Sequence, residues 1–250
     1  VVQQWRFAPH KMNNGQAHTS PDDRGRYVGI PTMNALTHYL ASDLSISFNA
    51  TVIKLTKMAS KWTLITAEGQ QSSDFDWIVL SIPPEQFGRL LVEESDIYRN
   101  LPNSVHAPCW ALALATQGYV PSDFQGIFGD DTCSWVSRQS SKPMQLNNDQ
   151  YDDLWVVHFS PSWSKTEGKD TAKDLPVVGV EWLNTALGCN AKVVYHYQHY
   201  WRYAQYIANK AEVCSYFVDE KQQVAVIGDW CCGGRVEGGY QSAVTLVKNV

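Results

Sequence analysis

Long apolar runs are missing from this sequence. The longest, Ile78 to Ile82 and Val224 to Ile227, fall far below the ~20 residues that a membrane span needs. Runs of Lys or Arg are missing too. Twenty basic side chains stand against 25 acidic ones, a formal charge of -5, so nothing offers a surface to a nucleic acid or an anionic membrane. The six cysteines contain no CxxC pair, and the close ones, Cys231 and Cys232, are neighbours that do not easily bridge each other. A chain this long and core-rich is no disulfide scaffold. Without a secretory apolar segment at its start it reads as reduced and cytoplasmic. It also lacks an initiator Met, opening Val1-Val2-Gln3-Gln4-Trp5, and so reads as a processed chain or a fragment.

What is present is core material. Hydrophobic residues make up 44% and charged residues 18% of the 250 positions, which excludes global disorder. At ~150 residues per domain this is one large domain or two interleaved ones. The 10 Trp, 12 Tyr and 8 Phe hint at an aromatic-lined site.

Along the chain, residues 8–26 are rich in Pro, Asn, Gly, Ser and Asp and read as irregular loop. Pro31 suits a first helical turn, and Met33, Leu36, Leu40 and Leu44 follow at helical spacing. Ser47 to Leu55 and Trp62 to Ala67 read as strands, with Glu68-Gly69 as a turn. Ile78 to Ile82 is continuous and apolar, as a buried parallel strand is. After Pro83-Pro84, Phe87, Leu90 and Leu91 suggest a short helix.

The middle has a different texture. Cys109 to Thr116, Thr132 to Ser137, Leu154 to Ser160 and Lys192 to Tyr203 alternate, which suits a mostly antiparallel sheet with one face covered. In the third of these, Trp155, Val157 and Phe159 share one face, and Val156, His158 and Ser160 the other. Residues 172–187 suit a helix on that sheet. At the end, Val224 to Ile227 reads as a buried strand and Gly228-Asp229-Trp230 ends it. Gly233, Gly234, Gly238 and Gly239 then lead into a helix with Ala243, Leu246, Val247 and Val250 at helical spacing. Parallel-type strands thus bracket an antiparallel insert, an α/β chain with an α+β insertion.

An apolar strand, Gly-Asp, a glycine-rich loop and a helix form an arrangement suited to anionic or electron-rich ligands. Glycines admit the ligand to the backbone, and the helix N-terminus offers free N–H donors and partial positive charge. Such ligands lie beyond the carboxyl ends of the strands, where Asp229 and the glycine loop fall. An ordinary strand-turn-helix with solubilising glycines is the plainer alternative.

The stretch Ile227-Gly228-Asp229-Trp230-Cys231-Cys232-Gly233-Gly234-Arg235-Val236-Glu237-Gly238-Gly239-Tyr240-Gln241-Ser242-Ala243 resembles the C-terminal flavin motif of FAD-dependent oxidoreductases of the amine-oxidase and renalase type. Three further stretches, Gly25 to Leu36, Ile78 to Gln86 and Trp155 to Ser164, resemble the bacterial renalase-like group in particular. The resemblance implies a glutathione-reductase-like, two-domain flavoprotein fold. Its FAD-binding domain would be discontinuous (25–105 and 213–250), and its substrate domain would take 1–24 and 106–212. It further implies that Asp229, after Gly228, bonds the ribityl chain of FAD, and that backbone at Val236, Glu237 and Gly238 faces the pyrimidine end of the flavin. Val52 would touch adenine through its backbone, and Ser81, Ile82 and Pro83 would lie near the dinucleotide.

One departure is large. The family's N-terminal unit carries G-x-G-x-x-G, and that motif occurs nowhere in these 250 residues. The flavin domain is therefore expected to be incomplete, FAD to bind weakly or not at all, and a bare sheet edge to invite self-association.

The implied activity is hydride transfer from a small reduced substrate to flavin, with oxygen as acceptor. The renalase-like resemblance implies dihydronicotinamide isomers as donors. A flavin amine oxidase and a non-catalytic remnant that binds a partner are the rivals. Arg235 stands where amine oxidases typically carry a wall Tyr, and with Trp201, Tyr203, Trp230 and His158 it is a candidate for the substrate pocket; equally, Arg235 could neutralise Glu237 or an FAD phosphate. For Trp230 and the other aromatics an ordinary core is the plainer reading, and for His158 a satisfied structural role is equally open. His196 and His199 sit three apart on a strand and point to opposite faces, so no metal site is expected. Ser160 and Ser164 lack a nucleophile-elbow context. Cys231-Cys232 precedes a helix N-terminus and could be redox-active, with packing the plainer reading.

Overall fold

The computed structural model describes every residue except 22–23, 91–95, 103–104, 122, 145–148, 172–173 and 208–213. Leu91 lies outside the described residues. The chain runs through β1 (Val2–Trp5), β2 (Pro9–Asn13), β3 (Gln16–Thr19), β4 (Arg26–Gly29), α1 (Ala35–Leu40), β5 (Val52–Met58), β6 (Lys61–Thr66), β7 (Gln71–Phe75) and β8 (Ile78–Leu80). A 3-10 turn at Pro84–Arg89 and α2 (Asp96–Asn100) lead to β9 (His106–Gln117), β10 (Gly126–Phe128), β11 (Cys133–Arg138) and β12 (Asp153–Phe159). The remainder is α3 (Pro161–Thr171), α4 (Leu175–Leu187), β13 (Lys192–Tyr206), β14 (Phe217–Asp219), β15 (Val224–Val226), a 3-10 turn at Asp229–Cys232, and α5 (Val236–Asn249).

The chain divides into two compact units, one of Val1–Ser45 with Pro108–Arg202, the other of Ile46–Ala107 with Tyr203–Val250. The segment 25–45, assigned by resemblance to the FAD-binding part, packs with the first unit. The reason is pairing: β4 is zipped antiparallel to β1, Val2 opposite Gly29 and Trp5 opposite Arg26.

Most of a seven-stranded sheet, in the order β13-β9-β12-β11-β10-β2-β3, belongs to the first unit. The pairs β9–β12, β12–β11, β11–β10 and β2–β3 are antiparallel, and β10–β2 is parallel. Alternation in β12 puts Trp155, Val157 and Phe159 fully inside, where they join Leu112, Leu114 and Val136. α4 lies on this layer through Leu175, Leu183 and Leu187. The sheet also buries an ion pair. Arg138 Nε and Nη2 each donate to Asp153 at 2.6 Å, and Ser140 donates to the same carboxylate, so neither charge is left unpaired.

Two readings of this unit need correction. Residues 8–26 are not irregular: they contain β2, β3 and the start of β4. Asn14-Gly15, both at positive φ (50° and 80°), make the tight hairpin turn, and β2 is held by its distant partner β10. The helix expected from Pro31 to Leu44 is reduced to α1 with no buried residue, and its stripe of Met33, Leu36, Leu40 and Leu44 is exposed. Helical spacing marks a face but not whether anything covers it.

The second unit contains two three-stranded sheets, β14-β15-β8 and the antiparallel β5-β6-β7. β8 and β15 are parallel, with Ile78 opposite Val224 and Leu80 opposite Val226. Their apolar side chains meet Phe87, Ile97, Val105, Trp62 and Trp230 in a second core. β5 starts at Val52, later than the expected Ser47. β8 ends its sheet. Its partner bonds (Ile78 N–H to Gln223 C=O, Ile227 N–H to Leu80 C=O) direct the backbone polar groups of Ile78 and Leu80 toward β15, and those of Val79 away from it. Among the described residues no helix is long and apolar enough to cross a membrane.

Candidate functional site

The site is built where β15 stops. Gly228 N–H donates to Ser242 Oγ (3.2 Å), and Ser242 donates to the Ser215 carbonyl (2.6 Å). These bonds tie the end of the strand, the segment before β14 and the middle of α5 together. The buried face of α5 is accordingly Gly238, Ser242 and Leu246. Val247 and Val250, expected on that face, are exposed, at 79% and 58%. The small polar Ser242 holds the position because its hydroxyl has two backbone partners.

Two glycines set the loop. Gly234 adopts φ +72°, and a Cβ there would lie 2.2 Å from Tyr206 Cβ, so the loop backbone rests directly on that side chain. A Cβ on Gly238 would lie 2.6 Å from the Cys232 carbonyl oxygen and 3.0 Å from that of Asp229. The first turn of α5 therefore packs backbone to backbone on the Asp229–Cys232 turn. Gly239 N–H is the first to close back, on Arg235 C=O at 3.1 Å. The N–H groups of Val236, Glu237 and Gly238 stand ahead of it without helical acceptors.

Two of these, Glu237 and Gly238, border a cavity of about 550 Å³ whose wall also holds Ser215, Cys231, Cys232, Gly233, Arg235 and Gln241. The helix end and Arg235 make this wall receptive to negative charge, tempered by Glu237. Asp229 lies on the adjoining turn with an exposed carboxylate and is not part of the lining. Burial pushes the Cys231 thiol up to about 12, so it stays protonated near neutrality.

A second cavity of the same unit, about 620 Å³, is predominantly apolar; Val52, Ile53, Phe75, Val79, Leu80 and Ser81 are in its wall. It brings together Val52 and Ser81, which the family resemblance names. Pro83 sits just before the Pro84–Arg89 turn and does not line it.

The pocket residues expected from the sequence are not all brought together. Arg235 lines the first cavity. Trp230 does not: it is 2% exposed, stacks on Phe217 at 5.8 Å and donates its ring N–H to Ile82 O, so it is a core residue with its polar atom satisfied. Tyr203, half-buried in the same unit, meets His106 edge-on at 6.4 Å. His158 and Trp201 belong to the other unit. Trp201 is 55% exposed with its ring against His199, and His158 is half-buried. Burial, then the Lys142 charge, lowers the His158 pKa. Ser164 accepts the Trp110 backbone N–H and Ser160 donates to the Asp131 carbonyl, so both serve packing. Among the described residues no group of three or more His, Cys, Asp or Glu could hold a metal ion.

Sequence reasoning missed Tyr206, whose ring underlies Gly234 and whose hydroxyl is buried without a hydrogen-bond partner. It missed Ser215 and Ser242 as well. Only the fold carries these signals.

No family model matches the chain. Its fold is shared with solved structures. A protoporphyrinogen oxidase-like protein from Exiguobacterium sp. 255-15 superposes with a TM-score of 0.68 at 12% identity, over 92% of this chain and 53% of that one. A redesigned putrescine oxidase gives 0.55 at 13% identity, over 89% and 54%. A CLA-producing fatty acid isomerase from P. acnes gives 0.56 at 12% identity, over 88% and 52%. The chain thus has the mixed α/β fold of these enzymes and spans about half the length of the solved structures it matches.

Proposed function

We propose that the chain is part of a FAD-dependent oxidoreductase. The observation that carries this is the β15–turn–α5 junction, in which a free helix N-terminus and a glycine-lined cavity stand at the end of a parallel strand, in a fold shared with oxidases. When bound, the flavin supplies hydride acceptance and reoxidation by oxygen. The residues fit its two ends. N–H groups at Val236, Glu237 and Gly238 would face the pyrimidine edge, and the exposed Asp229 carboxylate would accept from ribityl hydroxyls. Backbone at Val52 and the strand end at Ser81 would border the adenosine part. The sequence holds no G-x-G-x-x-G loop for the pyrophosphate, so affinity is expected to be low. The two units would then be the FAD-binding and substrate parts of a glutathione-reductase-like fold.

The finer reading is renalase-like oxidation of a reduced, anionic donor of the dihydronicotinamide class. Arg235 supports it. A permanent guanidinium on the cavity wall disfavours the protonated amine that an amine oxidase must accept.

The test is a titration of the purified chain with FAD, followed by flavin fluorescence. Saturable binding is expected, weakened roughly fivefold to a hundredfold in Asp229→Ala, because a buried hydroxyl without its acceptor costs ~1–3 kcal/mol. No saturable binding at any FAD concentration would favour the non-catalytic reading instead.

A further inference from the structure

Among the described residues, the outer side of β8 pairs with no strand. Its inner side is taken up by β15, where Ile78 N–H donates to Gln223 C=O and Leu80 C=O accepts from Ile227 N–H, so the N–H and C=O of Val79 point the other way. Ile78 and Leu80 are buried in the core of the unit, whereas Val79 is exposed. Such an edge is a template for another strand, and edges are normally blunted by charge or proline. The other ends of the two three-stranded sheets carry charge: Asp219 in β14, Asp74 in β7, Lys54 and Lys57 in β5. Ile78-Val79-Leu80 carries none. The cavity of about 620 Å³ beside it has the same character. Val79, Ile53 and Phe75 line it, its wall is mostly apolar, and none of the described residues in that wall is charged. With a formal charge of -5, two copies of the chain repel each other in general and approach best through an uncharged surface, which this edge supplies.

We propose that the β8 edge is a homodimer interface, formed by antiparallel pairing with β8 of a second copy about a twofold axis at Val79. A twofold axis makes the interface self-complementary: Val79 lies opposite Val79 of the second copy, and Ile78 opposite its Leu80. Opposed residues of an antiparallel pair either exchange both of their N–H to C=O bonds or exchange neither. Val79 is the residue of β8 whose two polar groups point outward, so with the axis there each Val79 N–H donates to the Val79 C=O of the other copy. This register also opposes all three residues of β8. The product is a continuous six-stranded sheet, β14-β15-β8 joined to its copy. The two Val79 side chains become a cross-strand pair, and apolar surface beside them leaves water. Three residues from each copy make the association weak and concentration-dependent. The pairing covers part of the cavity wall proposed for adenosine, so the association is measured without FAD.

The experiment is sedimentation velocity on the FAD-free, reduced chain from about 1 μM to about 1 mM, with amide hydrogen exchange at both ends of that range. A species of twice the monomer mass should grow in with concentration. Exchange of the Val79 amide should slow by about tenfold at the high end, while that of Ile78, already bonded to Gln223, stays as it is. Val79→Lys sets two like charges across the axis and should raise the concentration of half-association by about tenfold or more. Val247→Lys, the same change at an exposed position of α5, should leave it where it is. A urea midpoint equal to that of wild type shows that Val79→Lys is folded; if that variant unfolds, the Val79 amide of wild type decides. A chain that stays monomeric at about 1 mM overturns the proposal and leaves the edge to a different polypeptide. Association undiminished in folded Val79→Lys overturns it too, as does a Val79 amide that exchanges equally fast at both concentrations.

Discussion

Glu85 fastens the 3-10 turn after β8 to the start of β9, and its replacement separates charge from shape. Oε1 accepts the backbone N–H groups of Val105 (2.9 Å) and His106 (3.0 Å), and Oε2 meets His106 Nδ1 at 3.0 Å. The side chain is 13% exposed and that of His106 5%. Glu85→Ala strands two buried donors at ~1–3 kcal/mol each, and partial access of water brings the expected loss to about 3 kcal/mol. Glu85→Gln keeps an oxygen for both donors but forfeits charge assistance, which roughly doubles such bonds, so about 1 kcal/mol should be lost. Burial raises the Glu85 pKa, but the N–H groups of Val105, of Glu85 itself and of His106 and the His106 ring outweigh it, and the net shift is downward. A depressed carboxylate contributes stability that is complete above its ordinary range and is lost as pH falls through the lower folded value. The gap between wild type and Glu85→Gln in urea unfolding should therefore shrink between about pH 7 and about pH 3. A gap that stays constant with pH, or a Gln variant as costly as Ala, would refute the reasoning.

Gly238→Ala should raise helix propensity by ~1 kcal/mol yet destabilise by about 2 kcal/mol net, since overpacking against a carbonyl costs about 3; a urea midpoint at or above wild type would contradict the backbone contact. His158 has a lowered pKa, so below the ordinary histidine range the unfolded chain takes up a proton that the folded chain resists, and stability falls with pH. His158→Leu should flatten that decline between about pH 7 and about pH 5 in thermal melts, and an unchanged slope would assign it to other groups. With flavin bound, Arg235→Tyr should slow anaerobic bleaching by anionic reduced nicotinamides and admit simple amines; unchanged rates for both donors would remove Arg235 from substrate selection.

The strands β8 and β15 and the helix α5 were readable locally, because apolar runs bounded by proline or glycine, and apolar residues at helical spacing, need no knowledge of partners. The family resemblance likewise singled out Val52 and Ser81, which the fold brings to one cavity wall. Partners are what the chain order conceals. β2 exists because β10 pairs with it across a long stretch of sequence, so a Pro- and Asn-rich segment that looked like loop becomes sheet. α1 and the end of α5 show the converse: their apolar stripes are real, but exposure depends on what lies opposite. For Trp230 the sequence left open a pocket wall beside the plainer reading of an ordinary core, and the packing of Phe217 and Phe87 around it makes it core. Arg235 and the free helix end were legible as residue types, whereas the relay from Gly228 through Ser242 to Ser215 was decided by three segments meeting in space. Local sequence determines which backbone a segment prefers; burial, hydrogen-bond satisfaction and cavity shape are long-range quantities, settled when distant segments exclude water together.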